Sequence, residues 1–163
     1  MERKLELKDI CGYLPHGLIV VKNRNKYPAS TIIKNELRSG ELSLDENYMP
    51  IIRPLSDLYK TITHNGKEIV PIVELAKISL NFKCWHFNEN ENGDFKYAEF
   101  NSEYGYIKFW YSDEEDCFKC DKKDVLNQYQ LFDYLNELKI DYRGLIDLGL
   151  AVSVYDLEEN PYK

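Results

Sequence analysis

Residues 127–148 read NQYQLFDYLNELKIDYRGLIDL, and the spacing within this run constrains the chain more than any other feature. Leu131, Phe132, Leu135 and Leu138 recur at three- and four-residue steps, which places them on one face of an α-helix. Gln128, Asp133, Asn136, Glu137 and Lys139 fall on the opposite face. Asp141 can cap a second short helix, Arg143 and Asp147 stand one turn apart on it, and Gly149 suits its end. A C-terminal helix pair with a Leu/Phe stripe must bury that stripe, so Phe132 and Leu135 are expected fully inside. This element accounts for folding and carries no chemistry.

The 163 residues suffice for one domain that buries most of its apolar surface, and 1–163 reads as a single α+β domain. No apolar run approaches the ~20 residues of a membrane span. The apolar stretch Leu18–Val21 is too short for a signal-peptide core, and Met1-Glu-Arg-Lys-Leu-Glu alternates charge where such a peptide is basic and then apolar. The expected setting is the cytoplasm, where Cys11, Cys84, Cys117 and Cys120 are thiols. Cys11 falls on the apolar face of a first helix, as a small hydrophobe.

Charge is distributed unevenly. Residues 1–87 hold 13 Lys/Arg against 10 Asp/Glu, a balance of +3, whereas residues 88–163 hold 8 against 18, a balance of −10. An acidic half disfavours a phosphate backbone, which calls for clustered Lys and Arg. It is compatible with a basic partner or nucleic-acid mimicry, and equally with acidic loops that keep a Tyr-rich protein soluble.

Leu7, Ile10, Cys11 and Leu14 mark the first helix, closed by Pro15-His16-Gly17. Leu18–Val21 then reads as a strand and Lys22–Lys26 as a basic turn. Residues 27–50 offer little punctuation beyond Ser39-Gly40. Two short helices are opened by Pro54 (Leu55, Leu58, Tyr59, Ile62) and Pro71 (Ile72, Leu75, Ala76, Ile78), because proline at the first helical position forfeits no hydrogen bond. Between them His64-Asn65-Gly66-Lys67 is a tight-turn signal. Strands follow at Lys83–Phe87, Phe95–Phe100, Tyr104–Tyr111 and Cys117–Cys120, with turns at Asn88–Asp94 and Ser112–Asp116. Helices on either side of such a run predict an α+β fold: an antiparallel β-meander packed by short helices.

Arg53–Leu58, Asn65–Ile78, Asn127–Leu135 and Asp141–Ile146, with the opening Leu5–Ile10 and Tyr13–Leu18, together resemble a group of small uncharacterised proteins of gut Bacteroidales and their phages or integrated elements. The resemblance spans most of the chain and is weakest at 19–50 and 84–124. It brings no ligand or catalytic residue. It implies a mobile-element accessory protein in the bacterial cytoplasm.

Cys84, His86, Cys117 and Cys120 are the candidate metal ligands. Three thiolates and an imidazole form a recognised tetrahedral zinc set. The pattern contains one Cys-x-x-Cys where zinc modules commonly carry two, and Cys-x-His on a strand is a narrow bite. The alternative is ordinary strand cysteines with a surface histidine. Asp113–Asp116, Asp121 and Asp124 lack the spacing of a calcium loop and read as a solvated turn that blunts a sheet edge. No nucleophile elbow, phosphate loop, dinucleotide fingerprint or His-Glu-x-x-His is present, which favours a non-catalytic role over an enzyme that assembles its pocket in space.

Thirteen tyrosines and two tryptophans remain. Tyr104, Tyr106, Lys108 and Trp110 share one parity of their strand; Ile107, Phe109 and Tyr111 share the other. If one face is core, Tyr104, Tyr106 and Trp110 form a binding surface, since aromatic side chains anchor protein interfaces. A sheet buried on both faces fits the same alternation. The function expected is protein–protein interaction with a host or phage protein, with no direct nucleic acid and no membrane. A zinc-stabilised binding module is the alternative.

Overall fold

The computed structural model describes residues 3–29, 47–80, 87–92, 95–102 and 105–162. The fold is α+β, and the chain divides into two compact units. One consists of Met1–Leu55 and Leu135–Lys163, the other of Ser56–Tyr134.

In the first unit, α1 (Leu7–Ile10) is a single turn, followed by a 3-10 turn at Leu14–His16. Because the helix stops at Ile10, Cys11 is exposed and not on an apolar face. Tyr13 goes to the centre instead, and its hydroxyl donates to the Ile140 carbonyl at 2.9 Å. β1 (Ile19–Lys22) and β2 (Asn25–Pro28) form a hairpin over a two-residue turn, with positive φ at Asn23 and Arg24. This is the turn geometry that matches strand twist.

β3 (Met49–Pro54) is the central strand of this unit. It runs antiparallel to β1 and parallel to β10 (Ile140–Asp141) and β11 (Val152–Ser153). Prolines stand near and at its two ends, and Ile51 and Ile52 are fully buried. The unit's core joins Ile10, Tyr13, Leu18, Val20, Ala29, Ile52, Leu145 and Ala151.

The second of the two expected C-terminal helices takes the form of one capped turn. The Asp141 carboxylate accepts from the amides of Leu145 and Ile146 at 2.9 and 2.8 Å, which is the capping role its position suggested.

The second unit opens with a 3-10 turn at Leu55–Tyr59, which straddles the division. Ile62 does not continue it as a helix. It joins β4 (Ile62–His64), paired with β5 (Lys67–Ile69) across Asn65-Gly66, both at positive φ. α2 (Pro71–Leu80) buries Ile72, Leu75, Ala76 and Leu80, while Ile78 is exposed. The sheet is an antiparallel meander of β6 (Phe87–Asn92), β7 (Phe95–Ser102), β8 (Gly105–Ser112) and β9 (Cys117–Cys120). Asn88–Asn92 is strand where a turn was expected. Pairing from Phe87↔Phe100 to Asn92↔Phe95 gives this polar run a ladder partner, and that outweighs its low strand propensity.

α3 (Gln128–Leu138) runs through the second division between the units. Leu131, Leu135 and Leu138 are buried as the spacing requires. Phe132 is half-buried on the shoulder of the stripe, not fully inside. Its ring lies 5.7 Å from Phe118 and 6.2 Å from Tyr111. Asn136 and Lys139, assigned by spacing to the polar face, are buried. A Cβ on Gly12 would come within 2.6 Å of Asn136 Nδ2, so the absence of a side chain at position 12 makes room for this amide.

Candidate binding face of the meander

Two layers of side chains separate cleanly on β8. Ile107, Phe109 and Tyr111 are buried, whereas Tyr106 is 61% exposed and Lys108, Trp110 and Ser112 are half-buried. The register carries this alternation to the neighbouring strands. Ala98 and Phe100 pair with Phe109 and Ile107, and Phe118 pairs with Tyr111, so all join the buried layer. There the Phe109 and Phe118 rings stack with centroids 5.7 Å apart, an offset geometry that aromatic quadrupoles favour.

The outer layer is built from residues of the opposite parity. Glu99 stands opposite Lys108, Asn101 opposite Tyr106, and Lys119 opposite Trp110. The Lys108 ammonium lies 4.7 Å from the centroid of the Tyr97 ring, a cation–π contact that covers this tyrosine. Lys119 pairs with Glu115, and this hydrogen bond holds its pKa above the ordinary lysine value. Aromatic rings and ammonium groups therefore alternate across the face. Tyr106 and Trp110 lie where the strand alternation placed them; Tyr104 lies outside the described residues.

Tyr97 was missed as a member of this layer. The alternation of Phe95–Phe100 could have revealed it, given the register that sets its parity against β8.

The proposed zinc ligands are only half within view, because Cys84 and His86 lie outside the described residues. Cys117 and Cys120 are three positions apart on β9. Successive strand residues alternate faces, so one cysteine lies on each side of the sheet. Cys120 stands opposite buried Phe109, and Cys117 opposite Ser112. Among the described residues no group of three His, Cys, Asp or Glu is arranged to hold a metal ion.

The acidic run has structural work. Asp116 accepts from the Tyr111 hydroxyl at 3.2 Å. Asp121 accepts from the Lys108 amide at 2.9 Å, and its own amide donates to the Lys108 carbonyl at 3.2 Å. Asp113–Asp116 are all exposed, as a solvated turn requires.

No helix among the described residues is long and apolar enough to cross a membrane. No protein family, curated protein or solved structure matches the chain.

Proposed function

We propose that the chain is a non-catalytic binding protein that docks a host or phage protein on the outer face of the meander. In this reading it works in the bacterial cytoplasm as an accessory of a phage or mobile element. The observation that carries it is the alternation on β8, which buries Ile107, Phe109 and Tyr111 and leaves Tyr106 and Trp110 on the other side. Aromatic anchors of this kind dominate interface energetics, each commonly contributing about 2 kcal/mol or more. Lys108 flanks Trp110 on this face, and Lys119 is already paired with Glu115, so the matching surface is an apolar anchor with a carboxylate set to meet Lys108. The acidic balance of residues 88–163 opposes phosphate contacts and favours a protein partner over a nucleic acid.

Site-resolved photocrosslinking tests this. A crosslinking side chain at Tyr106 is expected to capture one protein in host cells. Capture should vanish when Trp110→Ala or Lys108→Glu is added, with the melting temperature held within about 3 °C. The same side chain at Tyr155, exposed on the other unit, serves as control. Identical adducts at both positions, or none at Tyr106, overturn the reading.

A further inference from the structure

Residues 157–162 have no helix or strand of their own, yet they are held at several points on the first unit. The Tyr162 hydroxyl donates to the Ile51 carbonyl at 2.8 Å and accepts from the Ile19 amide at 2.9 Å. β1 and β3 pair Val20 with Pro50 and Val21 with Met49, so Ile19 and Ile51 would form the next rung. The phenol oxygen occupies that rung. The Tyr162 carbonyl accepts from Arg53 Nη2 at 3.2 Å, and its amide donates to Asn160 Oδ1 at 2.9 Å. Lys139 Nζ stands 5.2 Å from the ring centroid, and Lys26 Nζ donates to the Glu159 carbonyl at 2.7 Å. Arg53 and Lys139 are both buried.

These contacts read a chemical pattern: an aromatic ring, a phenol that both donates and accepts, a carbonyl beside a cation, and an Asx turn two residues upstream. They are the contacts by which a folded surface recognises a short peptide. Residues 157–162 belong to none of the sheets, so their release breaks no strand ladder. When the phenol departs, the Ile19 N–H and Ile51 C=O give up the hydroxyl that bridges them and become open to exchange and to a competing hydroxyl.

We propose that the surface making these contacts is a peptide-binding site, closed in cis by residues 157–162. Its occupant in trans is an extended segment of another protein carrying Asx-x-Tyr. The tethered segment competes at a high effective concentration, which sets the threshold an external peptide must exceed. This site lies in the unit formed by residues 1–55 and 135–163 and is independent of the meander face.

The test uses the full chain carrying Tyr162→Ala and a synthetic peptide of residues 157–163. The expected result is binding at least tenfold tighter to the variant than to the native chain, and at least tenfold tighter than a peptide with phenylalanine in place of the tyrosine. Ile19 amide exchange should be faster in the variant and slowed again by the peptide. A variant with native protection elsewhere in the β1–β2 hairpin, but no peptide-dependent protection of Ile19, overturns the proposal.

The native chain supplies a second test should the variant fail to fold. Its Ile19 amide should exchange through a local opening insensitive to low denaturant, whereas exchange only through global unfolding overturns a releasable clasp. A concentration-dependent dimer of the variant would place a second copy's segment on this surface, and would overturn the assignment to another protein.

Discussion

The Gln128 side chain makes both main-chain hydrogen bonds of Phe118. Its Oε1 accepts from the Phe118 amide at 2.9 Å, and its Nε2 donates to the Phe118 carbonyl at 2.6 Å. β9 is an end strand of the meander, and the carboxamide stands where the backbone of a further strand would pair. An unpaired strand edge is a template for aggregation, so one glutamine at the start of α3 both docks the helix and closes the edge. Gln128→Leu is expected to lower stability by about 1–3 kcal/mol, the cost of leaving two partly buried groups unmatched. Chemical denaturation measures this, and light scattering should register increased self-association.

Gly12→Ala should destabilise the first unit, because the added Cβ would stand 2.6 Å from Nδ2 of buried Asn136. Overpacking of this kind costs roughly 1–3 kcal/mol. Combining it with Asn136→Ala should recover part of the loss, and a double-mutant cycle by urea titration reads that coupling.

The two layers of β8 differ in energetic weight. Phe109→Ala, in the stacked buried layer, is expected to cost about 3–5 kcal/mol. Tyr106→Ala, at 61% exposure, should stay within about 0.5 kcal/mol. Thermal melts that move equally for both would remove the distinction on which the binding face depends.

Leu135→Ala should cost about 2–5 kcal/mol, since this side chain is fully buried. Phe132→Ala should cost less than a buried aromatic normally does, because the ring keeps one side toward solvent while resting on Phe118 and Tyr111. Matched denaturation curves of the two variants order them.

Burial pushes the Tyr162 phenol up to about 12 from its ordinary 10.0, against the opposing pull of the Ile19 hydrogen bond and the Arg53 charge. The folded state therefore retains this proton where the unfolded chain has lost it. The contribution is complete below pH 10 and disappears between pH 10 and about 12, amounting to about 2–3 kcal/mol. Burial of Lys139 lowers its pKa and acts in the opposite sense, favouring the folded state as pH rises to its ordinary value. The stability difference between the native chain and Tyr162→Phe isolates the tyrosine and should fall across that interval.

A tyrosine also fills a rung in the second unit. The Tyr59 hydroxyl donates to the Lys96 carbonyl at 3.0 Å and accepts from the Tyr111 amide at 3.5 Å. With Gln128 and Tyr162, it makes three polar side chains that take the place of strand backbone. Such roles explain part of the chain's unusual tyrosine content.

The sequence by itself determined the elements whose signals are local. Periodicity located the Leu131–Leu135–Leu138 stripe, Asn65-Gly66 specified its turn, and the β8 alternation separated Ile107, Phe109 and Tyr111 from Tyr106 and Trp110. Side-chain direction in a helix or strand follows from position alone, which is why these readings needed no partner. Only the tertiary structure decided the central strand β3, where two prolines obscure a short apolar run. It also turned Asn88–Asn92 into strand by pairing, placed Cys117 and Cys120 on opposite faces, and buried Asn136 beneath Gly12. The contacts of Tyr162 join residues 19, 51, 53, 139 and 162, which no periodicity connects. A hydrogen bond across 111 or 143 positions leaves no local trace in composition or spacing. It exists only because the packed core brings those strands together.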